Sequence, residues 1–396
     1  MKILVVCQFY YPENFVITRI AEKLAEYGHD VTVLTGKPNY GYGHILPAYE
    51  NISSEIINGV KVERVNLKPR KENRKSIIDN YLSFWKNSKK WVKKCKTKYD
   101  VVYSMSLSPV TILSAGNLYK KKFHVPHIVH CVDLWPESVL VTNAVKKKSL
   151  TYKILYSWSK KLYSKVDEIL IGSPSFKDYF ENVLKINDIE LKYIPQPSLV
   201  ENNNAEAFPF DKKYFNILYC GNLGIIQQIP YIVEAMNQLK GSNVRFNVIG
   251  MGPMSKYLEA KIKEYGLQDN LIYYGPMPVS QASAYINGAD ALYVSLKNEG
   301  YVGRTIPNKL VMSMAFSKPI LAMLDGDGKK ILIESNGAIF SNQSYLSLVT
   351  AIKSIQNLSR KELARLGNNN LEYYKAHLTV DIVTRQIETE LLNKCR

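Results

Sequence analysis

Short apolar runs recur along the chain and alternate with longer segments whose apolar positions return every three or four residues. Runs of this kind predict strands buried on both faces, and the longer segments predict amphipathic helices covering them. Their strict alternation predicts α/β architecture with parallel sheets. In the first half the strands are expected at 3–7, 31–35, 62–66, 101–104, 127–131 and 168–172, with helices at 13–27, 76–96 and 149–165. Around 195–211 the sequence turns to Pro, Asn, Ser and Glu without periodicity, as a linker does. The pattern then restarts with strands at 215–220, 244–249, 271–274, 289–295 and 319–323, and 368–396 reads as a helical tail. The domain reading is therefore 1–196, a linker at 197–213, a second domain at 214–367, and the tail.

A chain of 396 residues that is 46% hydrophobic has enough apolar surface for two cores. The net charge of +17 is unevenly spread, with 31 Lys and Arg against 18 Asp and Glu up to Val200 and 21 against 17 beyond it. The first half is thus expected to face a polyanion: anionic lipid, a phosphorylated acceptor or nucleic acid. Five cysteines without a C-x-x-C pair predict free thiols in a reducing compartment. The start lacks an apolar leader segment and no apolar stretch is long enough to span a bilayer, so a cytosolic protein is expected. The spacing of His124, His127 and His130 does not suit zinc, and Asp325-Gly326-Asp327-Gly328 lacks the ligand pattern of an EF-hand, so no metal is expected.

In open parallel sheets ligands bind beyond the carboxyl ends of the strands, so residues just after each strand are the candidates for chemistry. After the first strand come Tyr11, Glu13 and Asn14, leading into a helix N-terminus suited to an anion, although a simple turn would account for them too. After 127–131 come Asp133 and Glu137, flanking Trp135-Pro136. Carboxylates at such a corner suit sugar hydroxyls or proton transfer, and a helix cap with a first-turn Glu fits the same pattern. In the second half Gly221-Asn222-Leu223-Gly224, Gly250-Met251-Gly252 and Gly275-Pro276-Met277 follow successive strands. Together they predict a nucleotide along that sheet edge. The segment holding Glu299, Arg304, Thr305, Pro307, Asn308 and Lys309 reads as a phosphate-facing loop, with Arg304 and Lys309 placed to neutralise a diphosphate. Basic clusters from Lys68 to Lys98 surround a helix with Tyr81, Phe84, Trp85 and Trp91, a pattern shared by interfacial helices on anionic membranes and by ordinary solvated helices.

Taken in order, 8–15, 28–36, 133–138, 221–224 and 305–309 resemble glycosyltransferase family 4, and more narrowly its bacterial O-antigen and capsule enzymes, including N-acetyl-L-fucosamine transferases. The resemblance implies a GT-B fold of two Rossmann-like domains facing across a cleft, acceptor domain first and donor domain second, with a tail that crosses back. It also implies transfer with retention, without cofactor or obligatory metal, from a UDP-sugar to a lipid-linked saccharide in capsule or O-antigen synthesis. The protein would be cytoplasmic and peripheral on the inner face of the cell membrane, held through 68–98, with no nucleic-acid partner. The chain departs from the family at three places. Asn14-Phe15 stands near the usual Gly-Gly pair, Asn222 and Gln227 or Gln228 near a diphosphate-binding Arg and Lys, and Met312 at the usual ribose-binding Glu. Arg304 and Lys309 are expected to replace the phosphate contacts, with Glu299 or Glu334 sharing sugar recognition. A UDP-sugar 2-epimerase of the same fold and a non-catalytic polyanion-binding protein are the competing readings.

Overall fold

The structure is a computed structural model and describes residues 1–71, 73–141, 145–198 and 205–395. The chain forms two compact units, one of 1–199 with 380–396 and one of 200–379. Each is built on its own sheet.

Among the described residues the first unit has eight strands: β1 (Lys2–Val6), β2 (Asp30–Gly36), β3 (Ser54–Ile57), β4 (Val60–Val65), β5 (Val101–Ser106), β6 (His127–Cys131), β7 (Glu168–Ile171) and β8 (Glu190–Tyr193). They lie in the order β3-β4-β2-β1-β5-β6-β7-β8, and all neighbours are parallel except the β3–β4 hairpin. Asn58 and Gly59, both with positive φ, turn that hairpin. This is the primed turn that the right-handed twist of paired strands favours. The helices are α1 (Val16–Glu26), α2 (Arg74–Lys94), α3 (Leu113–Phe123), α4 (Glu137–Val141), α5 (Leu150–Tyr163) and the short α6 (Phe176–Asp178).

The second unit holds β9 (Phe215–Cys220), β10 (Val244–Ile249), β11 (Leu271–Gly275), β12 (Ala291–Ser295), β13 (Ile320–Met323) and β14 (Ala338–Phe340), ordered β11-β10-β9-β12-β13-β14 and wholly parallel. Its helices are α7 (Ile229–Gln238), α8 (Ser255–Tyr265), α9 (Val279–Gly288), α10 (Asn308–Ala315), α11 (Gly326–Ser335), α12 (Tyr345–Gln356) and α13 (Arg360–His377). Helix α14 (Val380–Cys395) closes the chain on the first unit.

The tail divides later than the sequence pattern places it. Helix α13 stays with the second unit, where Leu363 and Tyr374 join its cores. Only α14 returns, setting Val383, Ile387 and Leu391 into the core formed by β1, β2, β5 and α1. Four-residue spacing puts these three side chains on one helix face. Polar contacts fix the helix further, including Tyr27 Oη to Asp381 at 2.7 Å and His29 to Glu388 at 2.7 Å. Of the expected linker, 199–204 lies outside the described residues. Its later part is docked on the second unit, with Phe208 stacked on Tyr285 at 4.0 Å.

Among the described residues no helix is long and apolar enough to cross a membrane. Among them, too, no group of His, Cys, Asp and Glu is placed to hold a metal ion.

Candidate functional site

The carboxyl edge of the second sheet is assembled by its glycine turns. Gly221, Gly250 and Gly275 end adjacent strands, and all three have positive φ. Gly221 N–H donates to Ile249 O at 3.0 Å, and Gly250 N–H donates to Gly275 O at 2.9 Å. A Cβ on Gly250 would lie 1.9 Å from Gly221 O, and one on Gly252 would lie 2.5 Å from Leu223 O. The glycines thus allow the turns to nest against one another, leaving half-buried backbone along the edge. Asn222 is exposed there. Leu223 takes part only through its backbone, because its side chain is in the core. Met277 is half-buried against a second core cluster.

Lys309, in the first turn of α10, reaches this edge. Its ammonium donates to Tyr219 Oη at 2.5 Å and sits 4.3 Å from the centre of that ring. Tyr219 Oη in turn donates to Asn222 O at 2.5 Å. The ammonium is therefore tethered to the Gly221 turn, and a Cβ on Gly221 would lie 3.7 Å from it. Among the described residues no carboxylate forms an ion pair with it. Burial pushes Lys309 down to about 7, opposed only by the neighbouring Cys220 thiol. A cation desolvated without a counter-ion favours an arriving anion.

The loop before α10 is clamped by the start of α11. A Cβ on Gly326 would lie 2.5 Å from Arg304 Cα, and one on Gly328 would lie 3.3 Å from Thr305 O and from Pro307 Cδ. Arg304 is exposed and faces the Tyr301 ring at 5.5 Å. Thr305 Oγ1 donates to Val302 O. Pro307 precedes α10 in extended conformation, leaving the helix N-terminus at Asn308 without a side-chain cap. Glu299 is engaged at the surface by Lys297 at 2.5 Å. Glu334 lies in the last turn of α11, bonded to Tyr373, at the helix end remote from the carboxyl edge. The half-buried Met312 packs against the core. A polar chain on the same edge turns on Gln343, which sequence reasoning missed: Gln228 donates to Gln343 at 2.5 Å, and Gln343 donates to Leu296 O and reaches Asp325 at 3.5 Å. Gln343 follows β14, a strand too short and too exposed to stand out as an apolar run.

The carboxyl edge of the first sheet is cross-braced. Glu13 is buried and accepts the backbone N–H groups of Asn39 and Tyr40 at 2.7 and 2.6 Å, joining the loops after β1 and β2. Tyr11 is exposed, its carbonyl held by Arg64 at 2.7 Å, and Asn14 is exposed. Gln8, Asn80 and Asn39 continue the brace to α2. After β6, Glu137 is buried and accepts Tyr152 Oη at 2.5 Å. Burial pushes the Asp133 carboxyl up to about 6. Arg70, which the sequence reading absorbed into a basic cluster, lies between the rings of Tyr40 and Tyr81 at 5.0 and 5.5 Å. The Asp133 charge also acts on Tyr81. In this unit Tyr11, Asn14, Asp133 and Arg70 thus share an edge, with Glu13 and Glu137 spent on internal hydrogen bonds.

Residues 14–197 match the family Glycosyltransferase Family 4, and residues 200–373 match Glycosyl transferases group 1. The two matches follow one another along the two sheets. The chain is a GT-B glycosyltransferase. The enzyme is 26% identical over 286 residues to a Pseudomonas aeruginosa protein described as probable glycosyltransferase WbjE, covering 68% of each chain. Among solved structures, Anabaena Alr3699/HepE in complex with UDP and glucose matches with a TM-score of 0.72 at 14% identity, covering 99% of this chain and 100% of that one. WaaG, a glycosyltransferase involved in lipopolysaccharide biosynthesis, matches with a TM-score of 0.68 at 13% identity, covering 98% and 99%. At such identities the structural likeness carries the fold.

Proposed function

We propose that the enzyme transfers a sugar, of the amino or deoxy class, from a UDP-sugar to a lipid-linked saccharide, with retention, in the synthesis of a cell-surface polysaccharide. The observation that carries the reading is Lys309, a cation without a carboxylate partner among the described residues, tethered to the Gly221 turn of a glycine-lined sheet edge. The UDP complex of the structural neighbour HepE and the lipopolysaccharide role of WaaG support the choice of donor and pathway class.

In this reading the diphosphate lies along the Gly221, Gly250 and Gly275 turns, with Lys309, Arg304 and the N–H groups of α10 countering its charge. The bond between the anomeric carbon and the diphosphate oxygen breaks, and UDP leaves with the electron pair. The acceptor hydroxyl oxygen bonds to the same face of that carbon, and its proton passes to the departing diphosphate. Charge stabilisation and positioning supply the catalysis, so no cofactor is required. Asp133 orients a sugar hydroxyl. The enzyme works in the cytoplasm at the inner face of the membrane.

Thermal shift with UDP, GDP, dTDP and ADP tests the donor, since a ligand of the folded state raises the melting temperature. Selective stabilisation by UDP is expected, and none by any nucleotide would overturn the reading. An epimerase would convert the UDP-sugar without acceptor, which product analysis distinguishes.

A further inference from the structure

Helices α2 and α5 each carry an exposed apolar stripe. On α2, Ile78 and Leu82 are 56% and 43% exposed and are followed on the same face by Trp85 and Lys89. On α5, Leu150 and Ile154 are 73% and 55% exposed and are followed by Trp158 and Lys161. Spacings of three and four align each set along one side of its helix. The stripes converge where Trp85 and Trp158 meet edge to face at 5.7 Å. The surrounding charge has one sign: α2 holds seven basic residues and the single acid Asp79, and α5 holds Lys153, Lys160 and Lys161 with no acid.

Below the tryptophan pair the stripes run into a groove of about 1030 Å³ between α2, α3 and α5. Lys89, Lys121, Lys161 and Lys165 line it, and the one acid among the described lining residues, Asp167, is already paired with Lys120 at 2.8 Å. Two donors in its wall have no partner among the described residues: the Ser114 hydroxyl, on a residue only 7% exposed, and the Trp85 indole N–H. The groove is also lined by Val125-Pro126 and Val166-Asp167, which precede β6 and β7. It therefore opens at the amino ends of these strands, on the edge opposite Asp133 and Glu137.

A cavity with spare donors, lysines and an indole beside an exposed apolar stripe matches an amphipathic anion. We infer that the face formed by α2 and α5 is the membrane-docking surface of this enzyme, and that the groove holds the phosphate of an anionic phospholipid headgroup. The tryptophans lie at headgroup depth, the four exposed aliphatic side chains enter the acyl boundary, and the lysines meet lipid phosphates. Helix α5 supplies half of this surface, so segment 68–98 alone does not form it. The inference deepens the proposed use of a lipid-linked acceptor.

Its test uses the full chain without any nucleotide or sugar, so it fails or succeeds independently of the donor reading. Co-sedimentation is measured with phosphatidylcholine vesicles with and without phosphatidylglycerol, alongside tryptophan emission. Binding only to the anionic vesicles, with a blue shift, is expected. The double variant Lys89→Gln/Lys161→Gln weakens it about thirtyfold, at about 1 kcal/mol for each lysine. Ile154→Asp, at an exposed position that leaves the melting temperature in place, weakens it about tenfold or more. Absence of binding to anionic vesicles overturns the inference, as does binding that neither variant changes. Displacement of the vesicles by glycerol phosphate or inorganic phosphate at equal affinity also overturns it, because the groove would then be a site for soluble anions.

Discussion

Replacing Lys309 with Met keeps an apolar stem of similar length against the Tyr219 ring while removing the ammonium. If that ammonium is the main countercharge for the donor diphosphate, the loss is one charge-assisted hydrogen bond made to the ligand, about 1.5–3 kcal/mol. That corresponds to UDP binding weaker by about tenfold to a hundredfold. The pH dependence gives a second signature. In the free protein burial holds Lys309 near 7, whereas a bound diphosphate favours the protonated form and raises that value. Affinity for UDP should therefore fall by up to about tenfold per unit above pH 7, where the UDP phosphates are already fully ionised, with proton uptake on binding. Stability moves the other way. A lysine depressed in the folded state and ordinary in the unfolded state opposes folding most below pH 7, and this opposition fades as pH rises from about 7 toward the unfolded value. Lys309→Met should therefore melt no lower than the parent at neutral pH while binding UDP worse. Calorimetry with UDP between pH 6 and 9, in buffers of different ionisation enthalpy, reads affinity and proton uptake together. Equal affinity in parent and variant, with the same pH profile, would remove Lys309 from the donor site and refute the reasoning.

Three further outcomes follow from the packing and the titrations. Gly250→Ala places a methyl group 1.9 Å from Gly221 O at φ +134, so a loss of about 3 kcal/mol or more is expected in denaturant unfolding. A variant as stable as the parent would show that the turns do not nest. Ile387→Ala opens the core under α14 and should cost about 2–5 kcal/mol, read as a lower melting temperature for the first unit. An unchanged transition would mean that α14 contributes little to that core. Asp133 is held up to about 6 by burial, so the folded state binds the extra proton between its ordinary value and 6, and stability falls as pH rises through that window. Asp133→Asn should abolish this slope and melt higher than the parent at pH 8. If Asp133 orients a sugar hydroxyl, the same variant loses transfer activity, and full activity would defeat that role.

The central strands were legible because parallel strands covered on both faces must be apolar along their whole length. The three strands absent from the sequence reading are all at sheet edges. Ser54–Ile57 and Glu190–Tyr193 have mostly polar or half-exposed residues, and Ala338–Phe340 is only half-buried. Edge strands are held by backbone pairing more than by burial, so their side chains leave a weak pattern. The Asn58-Gly59 turn was a local signal for the first of them that periodicity alone passed over. The strand-end rule selected most of the candidate residues, but it does not distinguish side chains that face a ligand from those already committed within the fold. Glu13 stood as a candidate after the first strand and Glu137 as a carboxylate suited to a sugar hydroxyl, yet each is occupied by donors distant in the chain.

Order of elements, parallel sheets, glycine turns at strand ends and the basic bias of the first half are properties of local composition and spacing, and the amino-acid sequence by itself determined them. Partnership was decided only by the tertiary structure. The tethering of Lys309 to Tyr219, the bracing of Glu13, the return of α14 rather than α13, and the meeting of Trp85 with Trp158 all join residues far apart along the chain. Burial and hydrogen bonding in such contacts depend on which surfaces the packed helices and sheets bring together. No local window of sequence contains that information.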